Sequence, residues 1–140
     1  MKALLYVCLL LSTCFSLQSC FGVGGFETAE EEAQELRNTK WILDEKEAFS
    51  PTLLIADNLE NVSGETGCNS YSADLLLKNY SFEINTFIKT EMFCDQYDED
   101  ERNYFINLSN AVQFRILHED VLLLKNQIGK VILRYKKIES

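Results

Sequence analysis

Downstream of Thr39, short apolar runs alternate with polar, turn-forming residues along most of the chain. Trp41-Ile42-Leu43, Thr52-Leu53-Leu54-Ile55, Asn61-Val62-Ser63, Tyr71 to Leu77, Tyr80 to Ile84, Phe87 to Thr90, Gln113 to Leu117, Val121 to Leu124 and Lys130 to Tyr135 all have the length and residue types of strands. Leu117 to Val121 and Lys125 to Lys130 carry turn residues between such runs, so the last three runs are expected to form an antiparallel meander. One stretch has a different period. Between Asp98 and Val112 the apolar residues Tyr104, Phe105, Leu108 and Val112 fall on one face at helical spacing, and this is the predicted helix. Many short strands with one helix point to an α+β, mostly antiparallel β fold: a small curled or partly open β-barrel with the helix packed across its gap.

Asp98, Glu99, Asp100 and Glu101 fall in the first turn of that helix. Negative charge there complements unsatisfied backbone N–H groups. The spacing lacks the alternating acids, central glycine and distal glutamate of a calcium loop, so helix capping is the reading adopted.

The first forty residues read differently. Lys2 precedes an uncharged, mostly apolar run from Ala3 to Leu17, shorter than the ~20 residues of a membrane-spanning helix. Residues 1–19 read as a signal peptide of the lipoprotein type. The run ends in Leu17-Gln18-Ser19-Cys20, which resembles a bacterial lipobox, with Ser19 small enough for peptidase access and the Cys20 thiol as acyl acceptor. An ordinary secretory signal and an uncleaved amphipathic anchor are the alternatives. Cys8 and Cys14 fall inside the leader. Residues 20–38, Gly-rich and then acidic, are expected to form a flexible tether in which Glu27 to Arg37 makes at most a short frayed helix. The folded domain is placed at 39–138.

Bulk properties narrow the function. A hydrophobic fraction of 46% and a single proline allow one buried core. The formal charge is −9, and removing Lys2 with a leader leaves 12 basic residues against 22 acidic ones. Such a surface repels phosphate backbones, so nucleic acid is not an expected partner.

The segment Gly64-Glu65-Thr66-Gly67-Cys68-Asn69-Ser70-Tyr71 and the later Cys94, with Trp41 upstream and the helical run downstream, resemble the META/HslJ family of small envelope domains. The resemblance covers roughly Thr39 to Tyr135 and implies the same curled barrel. It makes Trp41, Gly64, Gly67, Cys68, Asn69, Tyr71 and Cys94 signature positions, and it brings no defined activity. From the residues themselves, Gly64 and Gly67 are expected to supply positive dihedrals or close strand approach. Asn69 is expected to satisfy turn backbone, and Trp41 to anchor the core.

Cys68 and Cys94 are the only cysteines of the predicted domain. An exported protein meets an oxidising compartment, so a disulfide is expected, with two buried thiols as the alternative. The chain's single histidine, His118, falls in a predicted hairpin turn and makes a poor base for a nucleophilic cysteine. No zinc-ligand spacing occurs. Asp57, Glu60 and Glu65 have the spacing of solvated surface acids rather than of a hydrolase. Asn61, Asn79 and Asn107 match glycosylation acceptors by chance in a chain with a bacterial-type leader.

The expectation is therefore a non-enzymatic envelope lipoprotein without cofactor or metal, monomeric, held at the membrane through Cys20, most simply the outer membrane. Its domain would act as a binding or stress-protective module, with an acyl chain or a partner peptide held in the barrel interior or in the crack beside the helix. Two alternatives remain: a surface interaction or inhibitor protein with no interior ligand, and a pilotin-like secretion accessory.

Overall fold

The computed structural model describes residues 28–45 and 48–139. Among these, the chain forms α1 (Ala29–Gln34), β1 (Thr39–Leu43), β2 (Thr52–Ile55), β3 (Asn61–Glu65), β4 (Ser70–Lys78), β5 (Ser81–Lys89), α2 (Asp98–Ser109), β6 (Gln113–Leu117), β7 (Val121–Lys125) and β8 (Val131–Ile138). Each strand pairs antiparallel with the next, and β8 returns to β1 through Lys40↔Ile138 to Leu43↔Tyr135, so the sheet closes into a ring. The leader, the 20–27 part of the expected tether and Cys20 lie outside the described residues.

Strict alternation drives this closure. In β4 the buried Tyr71, Ala73 and Leu75 alternate with exposed Ser70, Ser72, Asp74 and Leu76, which gives one face to the core and one to water. Eight strands enclose a space that side chains can fill completely. Trp41, Leu53, Ile55, Val62, Phe82, Phe114, Leu122, Leu124, Leu133 and Tyr135 fill it, all buried to within 1%. Trp41 is thus a core anchor, and its indole Nε1 donates to Thr39 Oγ1 at 2.8 Å.

The ring is uneven. β5 and β6 share the single register pair Ser81↔Gln113, flanked by bonds from Phe82 N to Val112 O and from Phe114 N to Tyr80 O, both 3.0 Å. Beyond that point the two strands diverge, and α2, which connects them, crosses the gap with Tyr104 and Leu108 in the core. The expected partial opening is confined to this seam.

Three boundaries differ from the sequence reading. Tyr80–Ile84 and Phe87–Thr90 are one strand, β5, interrupted by a bulge: pairing with β4 steps from Asp74↔Asn85 to Ser72↔Ile88, and Thr86 takes φ +47°. One inserted residue reverses the alternation, which in the sequence reads as a break. The helix stops at Ser109, with Ala111 and Val112 in the connection to β6. The tether's second half is packed, not free: α1 begins in a capping box between Thr28 and Glu31, Leu36 is fully buried, and the buried Glu32 binds Arg115 Nη1 at 2.8 Å and Ile116 N at 2.6 Å. Its acidic composition hides one apolar edge and one carboxylate that β6 neutralises.

Candidate functional site

The signature positions converge where the β3–β4 turn meets the segment between β5 and α2. Gly64 and Gly67 divide the two predicted tasks. A Cβ on Gly64 would lie 1.9 Å from Thr52 O and 2.7 Å from Tyr71 Oη, so close approach requires glycine there, while Gly67 takes φ +90°. Cys68 and Cys94 are joined as a disulfide with Cα atoms 6.1 Å apart. Among the described residues no free thiol remains to pair with His118, whose φ of +54° places it in the β6–β7 turn.

Asn69 does more than complete a turn. Its Oδ1 accepts from Thr90 Oγ1 and Met92 N, both at 2.8 Å. Its Nδ2 donates to Met92 O at 3.1 Å and to Glu101 Oε2 at 2.7 Å. All four hydrogen-bonding capacities of the amide are thereby used, and Asn69 ties β4, the post-β5 segment and α2 together. The Thr66 hydroxyl has the Asn69 carbonyl and the second Glu101 oxygen as acceptors. Glu101 is therefore a buried internal ligand, not a capping acid: the first residue before the helix, Tyr97, makes no side-chain cap. Asp98 of the expected set is paired at the surface, with Arg102 at 2.8 Å. Helical spacing alone does not separate a cap from a strut.

A second chain of polar groups lies beneath. Tyr71 donates to Thr52 O at 2.7 Å, which leaves Tyr104 to donate to Tyr71 at 2.7 Å, and Tyr135 to donate to Tyr104 at 3.1 Å. Each hydroxyl donates once. Burial first, and then the neighbouring phenols, hold all three well above the ordinary tyrosine range. Around them Phe49, Phe87, Tyr97 and Phe105 make ring contacts at centroid separations of 5.1–6.3 Å.

On the outside of this cluster, α2 and the second half of β5 leave a groove of about 580 Å³, floored by Phe87, Phe105 and Ile106 and bordered by Lys89, Asp98 and Arg102. Lys89 Nζ lies 5.7 Å above the Phe105 ring and makes no ion pair among the described residues. The groove's carboxylates are already engaged, Asp98 by Arg102 and Glu101 by Thr66 and Asn69. In the segment after β5, Met92 is 59% and Phe93 78% exposed; Ile88 instead lines a separate hollow with Leu54 and Val62. The sequence singled out neither Lys89 nor Phe105 as site residues; their only signal was an aromatic facing the helix stripe.

Asp57 and Glu60 sit in the β2–β3 turn, where Arg37 binds Asp57 O and Asn58 Oδ1 accepts from Glu60 N. Glu65 ends β3.

A family model described as META domain matches residues 34–139. The fold is similar to an NMR structure of a protein from Burkholderia xenovorans, with a TM-score of 0.63 at 20% identity, covering 77% of this chain and 87% of that one. A second NMR structure gives a TM-score of 0.57 at 19% identity, over 74% and 92% of the two chains. A DUF4847 family protein from Bacteroides vulgatus gives 0.51 at 14% identity, over 64% and 60%. No curated protein matches the chain.

Proposed function

The chain belongs to the META domain family, and from that premise we propose that it is a non-catalytic binding module of the cell envelope, anchored by acylation of Cys20, most simply in the outer membrane. It works through the outer groove between β5 and α2. The observation that carries this reading is the contrast between a ring interior filled by its own large side chains and an unfilled groove of about 580 Å³ outside it, a size within the roughly 300–1,000 Å³ of ligand pockets. Of the two places expected from the sequence, the barrel interior is set aside for that reason and the crack beside the helix is kept, since the groove lies against α2. Protection under stress would follow from what the groove holds.

A photo-crosslinking amino acid tests the assignment. Placed at Ile106, on the groove, it is expected to give discrete adducts in the cells that make the protein; placed at the 84%-exposed Ile128, in the β7–β8 turn, it is expected to give none. The Ile106 adducts should diminish in a Cys20→Ala variant that loses its anchor. Equal labelling at both positions would refute the groove as the working surface.

A further inference from the structure

We infer that the groove receives an extended peptide, which pairs through its backbone with the open edge of β5. The inference rests on the groove reading above and goes further by naming the chemistry of the ligand.

Residues along a strand turn their N–H and C=O groups alternately to one neighbour and the other. Leu75 N donates to Glu60 O at 2.8 Å, toward β3. Asp74 and Leu76 consequently turn toward β5, and their partners Asn85 and Glu83 turn toward β4. Thr90 N donates to Ser70 O at 3.0 Å, so Ile88, two residues earlier and paired with Ser72, also faces β4. Ile84, Phe87 and Lys89 must then present their backbone groups to the opposite side. Phe82 is the last residue on that side to find a partner, Val112 O. Past it β6 has diverged: Ser81↔Gln113 is the only register pair between the two strands, so β6 supplies no strand partner to the outward side of Ile84, Phe87 or Lys89.

An edge of unpaired groups is a template for a further strand. From Ile84 to Lys89 it runs at most roughly 17 Å, across the bulge at Thr86 and with Phe87 and Lys89 bordering the groove itself, enough for a peptide of about five residues. Pairing there places alternate side chains of the peptide against Phe87 and Phe105. Charge selects the occupant further: Lys89 is the groove's unmatched charge, whereas its acids are engaged. The fitting partner is a peptide of another protein with small or β-branched apolar residues and a carboxylate side chain across from Lys89.

The probe is an acetylated, amidated heptapeptide of alternating valine and threonine with one central glutamate, titrated into the 15N-labelled mature domain with its disulfide intact. Saturable amide shifts centred on Ile84, Phe87 and Lys89, with new protection of those three amides from exchange, are expected. A peptide N-methylated on its pairing nitrogens should not bind. Lys89→Pro removes an outward N–H while leaving the β4 ladder in place, and should weaken binding about tenfold; Lys89→Ala, which removes only the charge, should weaken it about threefold. Unchanged shifts at the β4 amides of the proline variant report that it folds. Equal binding of the N-methylated peptide, shifts confined to Met92 and Phe93, a β5–β5 dimer that ignores the peptide, or no binding at millimolar peptide would each overturn the inference. If Ile106 still gives its adducts while the peptide fails, the groove stands and the strand pairing falls.

Discussion

Replacing Asn69 by aspartate keeps the shape of the most heavily bonded side chain in the signature and exchanges two donors for acceptors. The acceptor bonds from Thr90 Oγ1 and Met92 N survive. The bonds to Met92 O and to Glu101 Oε2, 2.7 Å away, are lost and become oxygen–oxygen contacts. A neutral hydrogen bond contributes about 1 kcal/mol and one to a carboxylate about 1.5–3 kcal/mol, so Asn69→Asp should cost about 2.5–4 kcal/mol at pH 7.5, a large part of the roughly 5–15 kcal/mol that holds a domain folded. The cost should depend on pH. Facing a buried carboxylate, the new aspartic acid holds its proton more tightly in the folded state than at its unfolded value of about 3.9. A group whose folded pKa is raised destabilises the fold as pH rises above the unfolded value, by up to about 1.4 kcal/mol per unit until the folded pKa is passed. Urea unfolding of both proteins at pH 5.5 and 7.5, under non-reducing conditions, should therefore show a smaller loss at the lower pH. A loss below about 1 kcal/mol at both, or the same loss at both, would refute the strut assigned to Asn69.

Tyr104→Phe removes the middle hydroxyl of the buried chain, strands the Tyr135 donor, and should cost about 1–3 kcal/mol by urea unfolding. In the parent protein the three buried phenols stay neutral in the fold, so stability is complete below pH ~10 and falls as pH rises past it; their ionisation, followed at 295 nm, should coincide with loss of structure. Gly64→Ala forces a methyl group onto Thr52 O and Tyr71 and should lose more than about 3 kcal/mol, read by thermal melting. The Cys68→Ala/Cys94→Ala double variant opens a loop of 26 residues and should unfold about 3–4 kcal/mol more easily than the oxidised parent.

How much of this was legible in the sequence depended on whether a residue's role was local. β2 and β6 lie where their short apolar runs placed them, Thr52–Ile55 and Gln113–Leu117, because a short apolar run bounded by turns has few other solutions. The β6–β7 hairpin was readable for the same reason, and His118 and Glu119 both take the positive φ its tight turn needs. β5 was split because a bulge at Thr86 has no signature in composition. α1 was taken for tether because what fixes it, Arg115 and the Ile116 amide, lies 83 and 84 residues away. Glu101 looked like any acid at a helix start, since its partners Thr66 and Asn69 lie 35 and 32 residues earlier in the chain. The groove depends on where β6 leaves β5, and nothing in either strand's pattern says how many residues they share.

The open β5 edge is tested most directly by amide hydrogen exchange in the free protein, resolved by residue along that strand. Glu83, Asn85 and Ile88, bonded to β4, should be protected, whereas Ile84, Phe87 and Lys89 should exchange at least tenfold faster, in alternation broken by the bulge. Uniform protection from Glu83 to Lys89 would mean that the edge is already paired, and the account of this domain as a strand-accepting module would be wrong.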